Sequence, residues 1–330
     1  MNNTYNPPYT LTDEMFDLVS QTMENLGKLN GVDDLEKLPR LRRINRIKSI
    51  HSSLAIENNT LSIEQVSDVI NGKKVLGPQK DIIEVHNAFN AYEEVSKIDP
   101  YSIKDLLKIH GIMTNGLVKE SGMFRSGQVG VYYDQDGNVI HIAPPANIVP
   151  SLIKQLFDWV KSSNINMLIK SSIFHYEFEF IHPFNDGNGR TGRLWQTAML
   201  ASWKPIFEWI PIESIIKDNQ DEYYKAIVVS TEQGESTAFI TFMLKAINTA
   251  INNIIIDSKN HYNHSNNRVS KLMNVLDYYP QSANELMEKL NLKSRVGFRK
   301  NYLEPAIELG LVGMTNPDKP TSKNQKYYKV

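Results

Sequence analysis

The sequence has no cysteine, which removes disulfides, thiolate catalysis and cysteine-ligated zinc from consideration. It also has almost no net charge, −1 from 36 Lys+Arg against 37 Asp+Glu, so its overall balance draws it neither to nucleic acid nor to a membrane surface. Residues 1–8 are polar and lack the apolar core of a secretory signal. No apolar run reads as long enough to span a bilayer. These absences predict a cytoplasmic protein without membrane contacts. What remains is an ordinary globular composition, 41% hydrophobic and 22% charged over 330 residues, enough chain for two or three domains.

The chemistry is concentrated in one run, His182-Pro183-Phe184-Asn185-Asp186-Gly187-Asn188-Gly189-Arg190-Thr191-Gly192-Arg193. The residues that follow, 194–201, read as helix, so Gly187 and Gly189 fall where a loop enters a helix N-terminus. Unpaired backbone N–H groups and the positive end of the dipole there can receive an anion. Arg190 and Arg193 share one face of the first turn, a placement the dipole disfavours. A polyphosphate lying between them explains it.

Two rival readings start from the same residues. Gly187, Gly189 and Gly192 form a literal GxGxxG, with Glu208 downstream as the acid of a dinucleotide fold. The alternation of Phe174, Tyr176, Phe178 and Phe180 fits a preceding strand, yet Ile169, Ile173, Tyr176 and Phe180 fit a helix equally well. Local pattern leaves that choice open, although the apolar segment is long for a strand and His182-Pro183 separates it from the glycines. His175, Glu179 and His182, at spacings of four and three, could converge on zinc; the absence of HExxH and the helix stop at Pro183 argue against it.

The twelve residues resemble, at every defined position, the HPFx(D/E)GNGRxxR motif of the Fic family of protein adenylyltransferases. The resemblance implies a mainly α fold: a helical core at 99–256 with a β-hairpin flap, behind an N-terminal helical region at 1–98; the polar stretch 257–267 reads as a linker, and the helices and strands that follow at 268–330 resemble a winged-helix domain. It also implies transfer of AMP from ATP to a Ser, Thr or Tyr hydroxyl of a target protein, and of the protein itself. His182, with a near-neutral intrinsic pKa, suits the base. Asp186 offers the hard oxygen that Mg²⁺ prefers. Gly187, Asn188 and Gly189 supply close backbone donors for the α-phosphate, and Arg190 and Arg193 the cations for the outer phosphates. Thr191 and Gly192 complete the ATP-binding run, and Phe184 reads as a core anchor.

Other segments take meaning beside this motif. Ser53 and Glu57, one turn apart near the end of a helix at 38–56, would alone be an ordinary polar helix end. They resemble the family's inhibitory (S/T)xxxE(G/N) motif, which implies a Glu57–Arg193 pair where the γ-phosphate belongs. The basic run Arg40, Arg42, Arg43, Arg46 and Lys48 reads as a solvated face. Residues 129–133 and 138–142 read as strands around a turn at 134–137. The family's flap lies over the active site and pairs with a target segment, which implies Ile140, His141 and Ile142 as flap positions and Phe124-Arg125 as positioning structure. Asn219 and Tyr224, with Tyr223 beside them, resemble the adenine-pocket segment. Helices are also expected at 13–29 (capped by Thr10 or Thr12), 60–70 (with a capping box at 62–65), 81–95 and 103–117, and Glu84 and His86 read as surface or satisfied core positions.

From residue 268 onward there are 11 Lys/Arg and 6 Asp/Glu, a net of +5, with Lys293, Arg295, Arg299 and Lys300 where a recognition helix would lie. DNA binding and protein interaction are both open for this module. The rival to an enzyme is therefore an ATP-sensing DNA-binding regulator. Transfer of another nucleotide, or removal of AMP, is the alternative within the enzyme class. A homodimer is a family-level expectation.

Overall fold

A computed structural model describes residues 5–30, 39–132, 139–308, 311–320 and 322–329. It resolves into two compact units, 1–253 and 254–330.

The first unit is helical. Its elements are α1 (Asp13–Asn30), α2 (Pro39–Ile56), α3 (Ile63–Ile70), α4 (Gln79–Tyr92), α5 (Ile103–Met113), the strands β1 (Gly130–Tyr132) and β2 (Val139–Ile142), then α6 (Val149–Ser162), α7 (Met167–Ile181), α8 (Asn188–Trp203), α9 (Ile212–Asp218), α10 (Gln220–Gln233) and the start of α11 (Thr237–Val275). The local signals act as expected. Thr12 Oγ1 accepts from the Met15 N–H at 3.2 Å, and Ser62 with Gln65 forms a reciprocal capping box on α3.

The open choice at 167–181 resolves to helix. α7 is buried along nearly its whole circumference, from Leu168 through Phe178, which explains why it shows neither a clean helical stripe nor a true strand alternation. α7 packs beside α8, whose Leu194, Trp195, Met199 and Leu200 are fully buried. No strand precedes the glycines, so the dinucleotide reading falls, and Glu208 instead pairs with Arg46 at 2.8 Å.

Three expectations need correction. Arg46 is not part of a solvated face: it is 4% exposed, ion-paired to Glu208 and stacked over Trp209 at 4.6 Å, because its stem covers apolar surface while its head finds a carboxylate. The stretch 257–267 is helical rather than an irregular linker, since α11 runs to Val275; it contains neither Gly nor Pro to stop it. Thr237–Asp257, 21 residues, is long and apolar enough by composition to cross a membrane. Its apolar face is core, with Phe239, Ile240, Met243, Leu244, Ile247 and Ile251 fully buried.

β1 and β2 pair antiparallel, with Val131 opposite His141. The expected turn at 134–137 lies outside the described residues, as do the side chains of Ile140 and His141, while Ile142 is exposed.

The second unit ends α11 and adds β3 (Gln281–Ser282), α12 (Ala283–Lys289), α13 (Arg295–Phe298), a π-helical turn at Arg299–Leu303, α14 (Glu304–Glu308), β4 (Val312–Met314) and β5 (Lys326–Lys329). Its three strands are ordered β3-β5-β4. The unit has its own core, built on Leu272, Leu286, Phe298 and Ala306.

Candidate active site

The site is built where α7 ends and α8 begins. His182 caps α7 in the left-handed conformation, φ 48°, which turns the chain sharply into Pro183. Its Nδ1 lies 3.3 Å from the Glu179 carbonyl. That carbonyl can only accept, so Nδ1 donates to it and Nε2 is the nitrogen placed to serve as a base.

The loop between the helices is held from inside. Asn188 Oδ1 accepts from the Phe184 N–H at 2.9 Å and its Nδ2 donates to the Phe184 carbonyl at 2.8 Å. Phe184 is fully buried, as an anchor should be, and stacks on His110 with ring centres 3.6 Å apart. His110 accepts from the Gly122 N–H at Nδ1 and so donates from Nε2 to the Asp186 carbonyl at 2.9 Å. Burial pushes its pKa down to about 4, so it is neutral. Arg125, 2% exposed, donates from Nε to the His182 carbonyl at 2.7 Å and also reaches the Gly127, Pro144 and Ile181 carbonyls. It ties the base of the hairpin to the turn between α7 and α8.

Gly187 has φ 82° and no room for a Cβ beside Thr114, so only glycine opens α8 at this point. Asp186 Oδ1 accepts from the Gly187 N–H at 2.6 Å and from Arg190 Nη2 at 2.9 Å.

Arg193 is 1% exposed at its side chain. It donates from Nε to Ser53 Oγ at 3.1 Å, and from Nη2 to the Ser53 carbonyl at 2.9 Å and to Glu57 Oε1 at 2.8 Å. Burial alone would lower its pKa, but the Glu57 carboxylate and their hydrogen bond carry it above the usual arginine value. Glu57 also rests on the α8 N-terminus: a Cβ on Gly189 would collide with its Oε1 and meet Arg193 Nη1 at 2.9 Å. A carboxylate thus sits against Gly189 in the first turn of α8 and beside an arginine, a setting that suits an anion.

Other expected residues divide. Tyr224 lies close enough for the Glu57 charge to act on its hydroxyl, whose pKa is raised first by burial and then by that charge. Asn219 is exposed and donates to the Ile215 carbonyl at 2.8 Å. Tyr223 is core, its hydroxyl 3.2 Å from His175 Nε2. Thr191 and Gly192 are buried: Thr191 is fully covered, and a Cβ on Gly192 would meet Glu179 at 2.8 Å. Gly192 stands against Glu179, Phe178 and His175 of α7, and Thr191 lies across the first turn from Gly189 and Arg193. The zinc triad does not converge. His175 is occupied by Gln196 at 2.6 Å and by Tyr223, and among the described residues no three potential ligands cluster.

Sequence reasoning missed three participants. His110 lies 76 positions from its partner Asp186, and no local pattern marks it. Glu84, read as surface or core, is a buried partner of Arg190 at 3.1 Å. Glu179, weighed only as a zinc ligand, is a buried carboxyl pushed up to about 8 by burial.

Residues 100–200 match the Fic/DOC family, and residues 267–328 match the C-terminal domain of Fic-like proteins, "Filamentation induced by cAMP". The crystal structure of a Fic family protein from Desulfovibrio desulfuricans G20 is 44% identical, with a TM-score of 0.75 over 99% of this chain and 98% of that one. Protein adenylyltransferase fic-1 of Caenorhabditis elegans is 28% identical over 265 residues, 75% of this chain and 47% of that protein. Protein adenylyltransferase Fic of Nematostella vectensis is 28% identical over 217 residues, 61% of this chain and 47% of that protein. The chain therefore spans about half the length of the curated relatives it matches.

Proposed function

This chain belongs to the Fic family, and from that premise we propose that it is a protein adenylyltransferase held inactive by Glu57. The observation that carries the reading is that His182 directly precedes a helix N-terminus in whose first turn Arg193 and Gly189 meet the carboxylate of Glu57, the residue after α2.

In the proposed reaction ATP binds with its outer phosphates on Arg190 and Arg193. A target hydroxyl oxygen attacks the α-phosphorus while His182 Nε2 takes its proton. The bond to the β-phosphate oxygen breaks and pyrophosphate leaves. The N–H groups of Asn188 and Gly189 receive the charge that grows on the α-phosphate oxygens, while that of Gly187 stays with Asp186. Asp186 suits Mg²⁺, being a half-exposed carboxylate next to where phosphates would lie, and that ion needs few protein ligands when phosphates supply the rest. When bound, Mg²⁺ would neutralise phosphate charge. The hairpin supports presentation of an extended target segment along its edge.

The test is intact-protein mass spectrometry after incubation with ATP and Mg²⁺. An added adenylyl mass on Glu57→Gly protein or on a lysate protein, absent with Glu57→Gly/His182→Ala, is the expected result. No adduct from a folded, ATP-binding Glu57→Gly protein contradicts the proposal.

A second reading rests on the C-terminal unit, whose strand and helix order suits a winged helix. Lys293, Arg295, Arg299 and Lys300 are all exposed there beside the exposed Val296, a surface compatible with DNA. DNA retention that weakens steeply with salt, without any protein labelling, would favour an ATP-sensing regulator.

A further inference from the structure

Arg190 is gripped by two carboxylates of different character. Asp186, 46% exposed, takes Nη2 at 2.9 Å; Glu84, 5% exposed and supplied by α4, takes Nη1 at 3.1 Å. Arg190 Nε is buried without a hydrogen-bond partner among the described residues, so the orientation of the guanidinium is set at its two terminal nitrogens. Asp186, being open to solvent, can exchange Arg190 for another cation. Glu84 has no such freedom: its other charged neighbour is Lys80, 3.8 Å away and mostly in solvent.

The second oxygen of Glu84 is engaged elsewhere. Glu84 Oε2 accepts from Asn59 Nδ2 at 2.8 Å. Asn59 is itself buried, with Nδ2 also donating to the Asp81 carbonyl at 3.2 Å and Oδ1 accepting from the Leu61 N–H at 3.2 Å. It stands two residues after Glu57, across the left-handed Asn58 at φ 64°. One line of hydrogen bonds thus runs from the end of the segment that bears Glu57, through Glu84 and Arg190, to Asp186.

We propose that Glu84 is a positioning residue for the substrate triphosphate, which fixes Arg190 against the outer phosphates and, through Asn59, ties that arginine to the segment carrying Glu57. The inference rests on the reading of this site as an ATP site. Its chemistry requires two acceptors at once. Both Arg190 and Asn59 donate, and Asn59 cannot offer its own oxygen without releasing Leu61. An amide at position 84 keeps one acceptor and turns the other into a donor, so one contact becomes donor against donor. The side chain keeps its size while Arg190 loses its hold.

The experiment is calorimetric binding of ATP and of AMP, in a Glu57→Gly background, to the parent, Glu84→Gln and Asn59→Ala proteins. A group that acts through Arg190 on the outer phosphates affects ATP and spares AMP, which has none. The parent should prefer ATP. Glu84→Gln should weaken ATP about tenfold or more while AMP stays within about twofold, and Asn59→Ala should weaken ATP selectively by about threefold. Asn59→Ala leaves both charges in place, so it carries the test if Glu84→Gln fails to fold. Equal losses for the two nucleotides, no loss for either, or a parent without ATP preference would overturn the proposal. Binding does not depend on transfer, so a protein that binds selectively but never labels refutes the transferase reading and leaves this measurement standing.

Discussion

Glu57 and Arg193 lie 136 positions apart in the chain and 2.8 Å apart in the structure. The pair joins the residue that follows α2 to the first turn of α8 and places a carboxylate against Gly189. Buried arginine, helix N-terminus and missing Cβ make one anion site, and the protein fills it with its own side chain.

Gly189→Ala tests that packing directly. The added methyl meets Glu57 Oε1 and Arg193 Nη1, so it should expel the carboxylate and leave a buried guanidinium partly unpaired, at a cost of about 1–3 kcal/mol. In a Glu57→Gly background the same substitution has little to displace and should cost well under half as much. Urea denaturation of the four proteins gives the coupling energy. Additive effects would show that Glu57 does not occupy this position in solution.

Arg125→Lys tests the attachment of the hairpin base. Arg125 serves four carbonyls, those of His182, Gly127, Pro144 and Ile181, with a fork that an ammonium cannot reproduce. The substitution should lower stability by about 1–3 kcal/mol and make the hairpin cleave faster under limited proteolysis. Unchanged stability and cleavage would mean that these contacts do not hold the hairpin base.

The buried titratable groups predict a pH dependence of stability whose sign can be worked out. Burial pushes His110 and His175 down to about 4 and about 3, so the unfolded chain binds more protons below the ordinary histidine value and stability falls as pH drops through that range. Burial pushes Glu177 and Glu179 up to about 7 and about 8. For these the folded chain holds the protons, and stability falls as pH rises from the ordinary carboxyl value through their folded values. The two pairs oppose each other below about pH 6.5, and only the carboxyls remain above it. Stability should therefore decline between pH 6.5 and 8, and Glu179→Gln should flatten the decline. Denaturation at the two pH values checks this; an unchanged slope in Glu179→Gln would show that Glu179 is ionised in the folded protein.

The run 182–193 was legible because its chemistry is contiguous: His182, Asp186 and the two arginines stand within one loop and one helical turn. The Ser53–Glu57–Arg193 contact was legible only through resemblance, since a serine and a glutamate four apart carry little signal of their own. Glu84, Asn59 and His110 were not legible as site residues, because each is defined by a partner far along the chain. Arg46 and the stretch 257–267 were misread for a related reason. Charge and polarity describe what a residue prefers in water, whereas burial against Trp209 and the continuation of a helix are decided by what packs around them.

The central claim is that Glu57 holds a competent adenylyltransferase inactive, and the most direct measurement is the rate of protein labelling by ATP carrying its label at the α-phosphate. Wild type, Glu57→Gly and Glu57→Gly/His182→Ala are compared at saturating ATP and Mg²⁺. The account predicts slow labelling by wild type, labelling at least about tenfold faster by Glu57→Gly, and none by the double variant. Equal rates for wild type and Glu57→Gly, with ATP bound by both, would contradict it.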